Sequence, residues 1–372
     1  MSQPAPVLSI ITVTHNSREV LLKGLAALRT GTEVPAEMIV VDNGSTDNTA
    51  AAVRHAFRAV ALIRRDEPLP APVALNLGAA RARAPWLLFL DPGLQPIDDT
   101  VRTLVEYAGS HPDDRLYTGR TLRERVSPGR APLTARLAPV LARLPLPARD
   151  RVEAGRSPLS GLLALGRTPH AGRDRIDDGR TVEGPPSLLG TACLAAGLPY
   201  DPERLPRLDR AIGGEVPAVT PRMLLIEREL WRRLGGFDER MPTADLSVRA
   251  RALGARPVLV PDAQMAAIAP DRPAGRHSAL DPERPGPRLV STALLTERMA
   301  FAHRHLAPAR ARAAGLILSA AALVRSATGE PWLSIWRRRD SWLSAAEPMP
   351  FVPIQDRPPS SLLRRDLSRP DR

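Results

Sequence analysis

Polar residues that could bind a ligand stand at the ends of three apolar runs near the start of the chain. Thr14-His15-Asn16 close the first run, Asp42 closes the second and Asp91 closes a later one. They offer hydroxyl, imidazole, amide and carboxylate groups, and an ionised carboxylate can only accept hydrogen bonds. In parallel sheets the carboxyl ends of the strands share one edge, which is where ligands bind. The spacing therefore predicts a ligand site at such an edge.

The segments that must position these residues alternate between strand and helix patterns. Short runs rich in β-branched residues and Leu predict buried strands, and the stretches between them carry apolar residues at helical spacing. This alternation predicts an α/β fold with a mostly parallel sheet flanked by helices. The predicted strands are 7–14, 37–41, 60–63 and 86–90, and the predicted helices are 18–28, a segment from Thr46 or Asp47 to 56, and 76–83.

The second half of the chain shows a weaker pattern at first. The segment from about 120 to 216 is rich in Arg, Pro and Gly and predicts irregular structure, because Pro lacks a backbone N–H. Regular elements return after it. The predictions there are a strand at 219–227, helices at 228–234 and 245–253, a strand at 257–260, and C-terminal helices at 290–306 and 309–326.

Composition limits the classes of function and location. The 372 residues carry a formal charge of +12, but Lys23 is the only lysine and the Arg residues are spread along the chain. That distribution, with the abundance of Ala, Pro and Leu, is typical of a codon bias toward GC-rich DNA. As a functional interpretation, a general affinity for anions, including diphosphates and acidic lipids, is favoured over nucleic-acid binding. The single Cys193 and the lack of a signal-peptide pattern indicate a cytoplasmic protein. The apolar stretch 313–324 is too short to span a bilayer, which needs about 20 residues, but could lie on a membrane surface.

Several motifs together resemble the inverting glycosyltransferase family 2, which has a GT-A fold. They are Thr14-His15-Asn16, Val40-Val41-Asp42-Asn43-Gly44-Ser45-Thr46-Asp47, Asn76-Leu77-Gly78, Asp91 and Leu234-Gly235-Gly236-Phe237-Asp238-Glu239. The Gly-Gly-Phe-Asp block and the segment Glu297-Arg298-Met299-Ala300-Phe301 are typical of the rhamnosyltransferase-like branch of this family. The resemblance covers about residues 5–118 and 218–306.

The resemblance implies roles for individual residues. Asp42 would accept hydrogen bonds from the base or ribose of a nucleotide sugar, and Asp91 would hold Mg²⁺ or Mn²⁺ on its diphosphate. A turn-stabilising role for Asp42 and a cap or turn role for Asp91 stay open as alternatives. The predicted nucleotide-sugar ligands are Thr14, Asn16, Asp42, Asn43, Asn76 and Asp91.

The chain departs from the family pattern at three chemical positions. The metal motif Asp-x-Asp reads Asp91-Pro92-Gly93, which weakens the metal prediction, and Gln95, Asp98 and Asp99 are the alternative ligands further along the loop. The family's Glu-Asp-x-Asp-Leu motif, which includes the general base, reads Pro242-Thr243-Ala244-Asp245-Leu246. The family histidine is replaced by Ala266-Ala267, and His277 is the nearest alternative. Asp238, Glu239 and Asp245 are the candidate bases, with helix capping as the other interpretation for each.

The resemblance and the departures divide the chain and define two functional hypotheses. The first is an inverting transfer of a sugar from a nucleoside-diphosphate donor to an envelope glycan, a lipid-linked acceptor or a metabolite, where Arg120, Arg123 and Arg125 could meet an acceptor phosphate. The second is a catalytically inactive binding or scaffold protein of the same fold.

The predicted location is cytoplasmic, with the inner face of the membrane as an alternative. The predicted regions are a nucleotide-sugar-binding half (1–118), an insertion (119–217), an acceptor-side half (218–270), a linker (271–288), C-terminal helices (289–326) and a disordered tail (327–372).

Overall fold

A computed structural model describes the chain over eleven stretches, which together contain most of the predicted elements. They are residues 5–124, 175–177, 181–183, 185–188, 190–192, 214–238, 240–241, 244–268, 292–327, 329 and 332–344. Several residues singled out above lie outside these ranges, as does the predicted linker 271–288. They are Arg125, Cys193, Glu239, Pro242, Thr243 and His277; the side chain of Arg123 is also not described.

The core of the fold is one large sheet, and a two-stranded sheet lies outside it. The strands are β1 (Leu8–Thr14), β2 (Ala36–Asn43), β3 (Ala61–Arg65), β4 (Trp86–Leu90), β5 (Leu94–Pro96), β6 (Arg115–Glu124), β7 (Arg175–Asp177), β8 (Val182–Glu183), β9 (Gly214–Glu215), β10 (Ala218–Val219), β11 (Met223–Glu227) and β12 (Arg256–Ala267). The strand order in the large sheet is β3-β2-β1-β4-β11-β6-β12-β5, and β9 pairs with β12 outside this path. The strands β8 and β10 form the two-stranded sheet.

The sheet is mixed, so the predicted α/β class is confirmed but its parallel part is smaller than predicted. Pairing is parallel between β1 and β2, between β1 and β4 and between β2 and β3. The strand β11 runs antiparallel to both β4 and β6, and β12 runs antiparallel to β5. The strand predicted at 257–260 extends to Ala267 because its second half pairs with β5.

Helices cover both faces of this sheet. They are α1 (Arg18–Gly31), α2 (Thr49–Ala56), α3 (Ala71–Arg81), α4 (Thr100–Ser110), α5 (Arg228–Leu234), α6 (Ala244–Ala252), α7 (Thr292–His305), α8 (Pro308–Ser326), α9 (Trp332–Arg337) and α10 (Arg339–Ser344).

The alternation of side chains along β1 explains why both faces need helices. Ile11 and Val13 join one apolar cluster, which includes residues of α3, α5 and α6. Leu8 and Ile10 join the opposite cluster, which includes residues of α1 and α4. Successive residues of a strand point to opposite faces, so a strand that is apolar throughout must be covered on both sides.

The C-terminal helices form an apolar cluster of their own, which corrects the prediction of a disordered tail from residue 327. Trp332, Ile335 and Trp342 from α9 and α10 are buried against Leu318 and its neighbours on α8. Three large apolar side chains within eleven residues can bury enough surface to order two short helices. Residues from 345 onward lie outside the described part of the chain.

The predicted insertion at 119–217 does not coincide with a structural unit. Contacts divide the chain into one unit of 1–121 with 177–372 and a second unit of 122–176. Residue 119 lies inside β6, and β8 pairs with β10 within the first unit. The Thr181 hydroxyl also donates to the Gly119 carbonyl oxygen, at 2.7 Å. These contacts place residues 181–183 with the main sheet rather than with the insertion.

Candidate functional site

Three predicted site residues lie at one edge of the sheet, where β1, β2 and β4 end. Thr14 pairs in register with Asp42 across β1 and β2. Phe89 pairs with Ile11, so Asp91, two residues further on, lies level with the end of β1. Thr14, Asp42 and Asp91 are all buried. The sheet therefore brings together the polar strand ends that the sequence predicted to share an edge.

The two carboxylate oxygens of Asp42 differ in their hydrogen bonding. The side chain is 1% exposed. Its Oδ1 accepts a hydrogen bond from the Ser45 backbone N–H at 3.1 Å, which stabilises the turn after β2. Its Oδ2 is buried and has no hydrogen-bond partner among the residues that the structure describes. A buried carboxylate oxygen without a partner is costly, so a donor from a ligand would be stabilising there.

Asn16 and His15 tie the loop after β1 to the loop after β2. Asn16 Oδ1 accepts from the Thr46 backbone N–H at 2.8 Å, and the Asn16 backbone N–H donates to Ser45 Oγ at 3.0 Å. His15 Nδ1 lies 2.8 Å from the Asn43 carbonyl oxygen, which can only accept, so Nδ1 carries the hydrogen. Asn16 adopts a positive φ of 49°, a conformation that Asn tolerates better than most residues. Both side chains shape the rim of the site.

Asp47 anchors two helices beside this rim. Its carboxylate accepts from the backbone N–H of Arg18 at the start of α1 and of Thr49 at the start of α2, each at 3.1 Å. Burial alone would raise the pKa of Asp47, but the hydrogen bonds from Thr49 and Arg18 lower it below its usual value. A negative charge at two helix N-termini is also favoured by the helix dipoles.

Asn43 and Asn76, both predicted to bind the nucleotide sugar, make hydrogen bonds within the protein. Asn43 Nδ2 donates to the Leu69 carbonyl oxygen at 2.9 Å, and Asn43 Oδ1 accepts from the Leu69 N–H at 2.8 Å. Asn76 makes the same pair of bonds with Phe237, at 2.8 and 2.9 Å. Asn76 thereby links α3 to the turn after α5, which is 161 residues away in sequence. A ligand role for either amide stays a prediction.

Asp91 faces an arginine that the sequence did not identify. Arg222 Nε lies 3.5 Å from Asp91 Oδ2, and the two side chains are 11% and 3% exposed. Asp91 Oδ1 accepts from the Gly93 N–H at 2.7 Å, and the Asp91 N–H donates to the Arg222 carbonyl oxygen at 2.8 Å. The pair is thus held by both side-chain and backbone contacts.

The residues present do not fit the predicted Mg²⁺ or Mn²⁺. Hard divalent cations need several oxygen ligands, whereas Gly93 offers no side-chain ligand and a guanidinium lies against Asp91. Within the described ranges, no group of three or more His, Cys, Asp or Glu side chains could hold a metal ion.

Two of the candidate bases, Asp238 and Asp245, form a network with two arginines and a histidine. Asp245, at the start of α6, is 1% exposed and accepts from Arg249 Nε and His305 Nε2, both at 2.6 Å. Asp238 Oδ2 accepts from Arg304 at 2.9 Å, and the same guanidinium lies 3.6 Å from Asp245. The network joins α6 and the turn after α5 to the end of α7. Glu239, the third candidate base, lies outside the described residues.

The electrostatics of this network keep Asp245 ionised. Burial alone would raise the pKa of Asp245, but the hydrogen bond from His305 and the charge of Arg249 lower it below its usual value. An ionised carboxylate can only accept, so the hydrogen lies on His305 Nε2. Because both oxygens of Asp245 are engaged and buried, the catalytic role predicted for this residue stays a prediction and its structural role is evident.

Sequence reasoning missed the partners of these acids. The spacing of Asp245 and Arg249, four residues apart on a helix, is a signal that could have predicted their ion pair. Arg304 and His305 come from α7, some sixty residues downstream. Arg222 directly precedes β11, which is distant from Asp91 in sequence but pairs with β4. No local pattern indicates such long-range pairs.

Comparison with known proteins agrees with this geometry. A protein-family model described as glycosyl transferase family 2 matches residues 9–158. These residues include the ends of β1, β2 and β4 described above. Residues 9–158 are therefore similar to a family 2 glycosyltransferase domain. The predicted resemblance to this family is therefore confirmed for the part of the chain that holds Asp42 and Asp91.

A curated relative shares similarity beyond the family 2 domain. The chain is 26% identical over 281 residues to an N-acetylglucosaminyl-diphospho-decaprenol L-rhamnosyltransferase of Mycobacterium tuberculosis, covering 70% of this chain and 75% of the relative. The sequences of two strains of that species match equally. Together with the family 2 domain, this similarity supports a nucleotide-sugar-dependent glycosyltransferase.

Solved structures that match most of the chain do so at low identity and with TM-scores below 0.5. The mannosyltransferase PcManGT of Pyrobaculum calidifontis, in complex with GDP-Man and Mn²⁺, is 17% identical with a TM-score of 0.46, covering 92% of this chain and 86% of that one. TarS of S. aureus (residues 1–349), in complex with UDP-GlcNAc, is 15% identical with a TM-score of 0.47, covering 91% and 79%.

Proposed function

We propose that this protein binds a nucleoside-diphosphate sugar at the edge formed by Thr14, Asp42 and Asp91 and transfers the sugar to an acceptor with inversion. One observation carries the proposal: the buried Oδ2 of Asp42 has no partner among the described residues. An N–H of the base or an O–H of the ribose would supply the missing donor. The position of this oxygen at the carboxyl ends of parallel strands is that of a nucleotide site.

The proposed acceptor is a glycan precursor on a lipid diphosphate at the inner face of the membrane. The Mycobacterium tuberculosis relative is named for such an acceptor, N-acetylglucosaminyl-diphospho-decaprenol. An anionic acceptor also suits a chain with a formal charge of +12. No helix of the described residues is long and apolar enough to cross a membrane. We propose that side chains on the outside of the fold contact the lipid surface.

The surface proposed for this contact is the exposed face of α8. Leu316, Leu323 and Val324 are 73%, 52% and 73% exposed and lie within one third of the helix circumference. Arg312 lies on the same side, and α8 contains no Asp or Glu. Apolar side chains next to basic ones on one helix face favour an anionic membrane surface.

A second candidate function is nucleotide-sugar binding without turnover, as a scaffold. A specific observation favours it: Asp245 is enclosed by Arg249 and His305, and Asp238 is paired with Arg304. A carboxylate that is held by a guanidinium is a weak base, because the pair stabilises its ionised form. The two functions share the donor site and differ only in catalysis.

The two candidates separate in a combined binding and turnover experiment. Calorimetry with UDP, GDP and dTDP tests the donor site, and release of nucleoside diphosphate from the matching sugar donors, with and without a lipid-diphosphate acceptor, tests transfer. Acceptor-dependent release supports the transferase, whereas binding without release supports the scaffold. An absence of binding for every nucleotide would contradict both.

A further inference from the structure

The charge next to the donor site comes from Arg222, where the family pattern expects a metal. Asp91 ends β4 at the ligand edge, and its side chain pairs with the Arg222 guanidinium at 3.5 Å. The backbone of the two residues is also hydrogen-bonded, at 2.8 Å, which fixes the start of β11 beside the end of β4. The cationic group is therefore part of the sheet edge rather than a long side chain on the surface.

A guanidinium is suited to a diphosphate. It carries a permanent positive charge and several N–H donors in one plane, which match phosphate oxygens in pairs. Arg222 uses Nε toward Asp91 and is mostly buried, at 11% exposure, so its orientation is held before a ligand arrives. A cation that is already oriented loses little entropy when it binds an anion.

Gly93, which stands where the family's metal motif has its second Asp, is compatible with a pairing of Asp91 with Arg222 instead of a metal. A Cβ at Gly93 would lie 3.1 Å from Asp91 Oδ1, closer than an ordinary contact. The Gly93 N–H instead donates to that oxygen at 2.7 Å. The side of Asp91 that faces away from Arg222 is thus closed by backbone, and a second carboxylate is absent from the motif.

We propose that Arg222 takes the place of the divalent cation, so that this protein binds the diphosphate of its donor without metal. The inference rests on the proposed donor site. When the bond between the sugar carbon and the diphosphate oxygen breaks, its electron pair stays on that oxygen. The new bond forms from the acceptor hydroxyl oxygen, whose proton passes to a base, for which Asp238, Glu239 and Asp245 are the candidates. Arg222 would stabilise the negative charge that collects on the leaving diphosphate. Asp91 acts as a positioning residue that orients Arg222.

The first experiment measures nucleoside-diphosphate binding to the full chain in EDTA and in Mn²⁺, using UDP, GDP and dTDP. The expected Kd for the nucleotide that binds is the same in both conditions within about threefold, a difference of less than 1 kcal/mol. Binding that is at least about tenfold tighter in Mn²⁺ would overturn the inference and leave the proposed function intact. No binding in either condition would contradict the proposed function itself.

The second experiment tests Arg222 directly. Arg222→Gln is expected to weaken binding of the diphosphate about tenfold or more while leaving the affinity for the corresponding nucleoside unchanged. Arg115→Gln is the matched control, since Arg115 pairs with Glu227 on the same sheet but at the opposite edge, beside Trp86 at the start of β4. Equal losses for diphosphate and nucleoside, or no loss, would show that Arg222 is only the counter-ion of Asp91.

A double variant keeps the test valid if Arg222→Gln fails to fold because the buried Asp91 loses the charge of Arg222. Asp91→Asn with Arg222→Gln removes both charges and is expected to show the same selective loss for the diphosphate. Gly93→Asp with Arg222→Gln rebuilds Asp-x-Asp without the guanidinium. It is expected to bind Mn²⁺ by electron paramagnetic resonance, whereas the wild type is not; a Mn²⁺ signal from the wild type with nucleotide would contradict the proposal.

Discussion

At the scale of single residues, the ligand role proposed for Asp42 predicts opposite effects of its substitution on stability and on nucleotide binding. Its buried Oδ2 lacks a partner among the described residues, so Asp42→Asn should remove an unfavourable charge. We expect the variant to unfold at the same or a slightly higher temperature. Nucleoside-diphosphate affinity should fall about tenfold or more, because an amide can present a donor where an acceptor is required. Calorimetry and thermal unfolding measure the two effects, and a loss of both stability and binding would indicate a purely structural role.

The residues that the sequence could predict are those whose role follows from their position in an element. Asp42 and Asp91 come at strand ends, and the sheet confirms that these ends share an edge. Arg222 and His305 gain their importance from partners distant in the chain, and arginine and histidine are common on surfaces. Their pairing depends on the antiparallel strands and on α7, whose placement no local pattern specifies.

At the scale of elements, Asn76 and Gly236 form one clamp between α3 and the turn after α5. Asn76→Ala leaves the N–H and C=O of Phe237 without their partner and should cost about 1–3 kcal/mol of unfolding free energy. Gly236→Ala should break the same contact, because its φ is +73° and a Cβ would lie 2.6 Å from Asn76 Oδ1. Urea denaturation of both single variants and the double variant should therefore give less than additive losses.

The control for this clamp is Gly254→Ala. Gly254 also has a positive φ, of +80°, but a Cβ there would meet nothing within 4 Å. Its cost is that of the left-handed conformation alone, about 1–2 kcal/mol. Combined with Asn76→Ala, this substitution should be additive. If Gly236→Ala and Gly254→Ala both add fully to Asn76→Ala, the proposed clamp is wrong.

The contacts of Asp245 that hold α7 on α6 should make stability depend on pH. The pKa of Asp245 is lowered in the folded state, so its contribution is present above the unfolded pKa of about 3.9 and is lost as pH falls through the folded value. Asp245→Asn should cost about 3–5 kcal/mol at neutral pH, because Arg249 and His305 lose their buried partner. The difference from wild type should shrink below about pH 4.

Chemical denaturation from pH 7 to pH 3 measures this difference. Asp340→Asn serves as the control, since Asp340 is 86% exposed and should change stability little at any pH. A stability difference between Asp245→Asn and wild type that stays constant across this range would show that the charge of Asp245 contributes nothing and that only its shape matters.

At the scale of the whole molecule, the parallel part of the sheet, β1 to β4 with the helices between them, could be predicted more fully than the rest. The first four strands repeat a simple alternation of apolar runs and helices, and their parallel pairing follows from it. The second half of the sheet is antiparallel and its partners are far apart in sequence, so β12 was predicted too short. The helices α9 and α10 are six residues each, which is less than a periodic pattern needs to be recognised.

The last prediction concerns how the molecule meets a membrane. If the exposed face of α8 contacts anionic lipid, the protein should co-sediment with phosphatidylglycerol vesicles and much less with phosphatidylcholine vesicles. Leu316→Glu with Val324→Glu should reduce the bound fraction at least about tenfold, because it removes apolar burial and adds charges that anionic lipid repels. Rising salt should weaken wild-type binding, since surface charges are screened.

The matched control is Leu253→Glu, which changes an exposed leucine just after α6. This variant should bind the vesicles like the wild type. Equal sedimentation of the α8 variant and the wild type would place the membrane contact elsewhere.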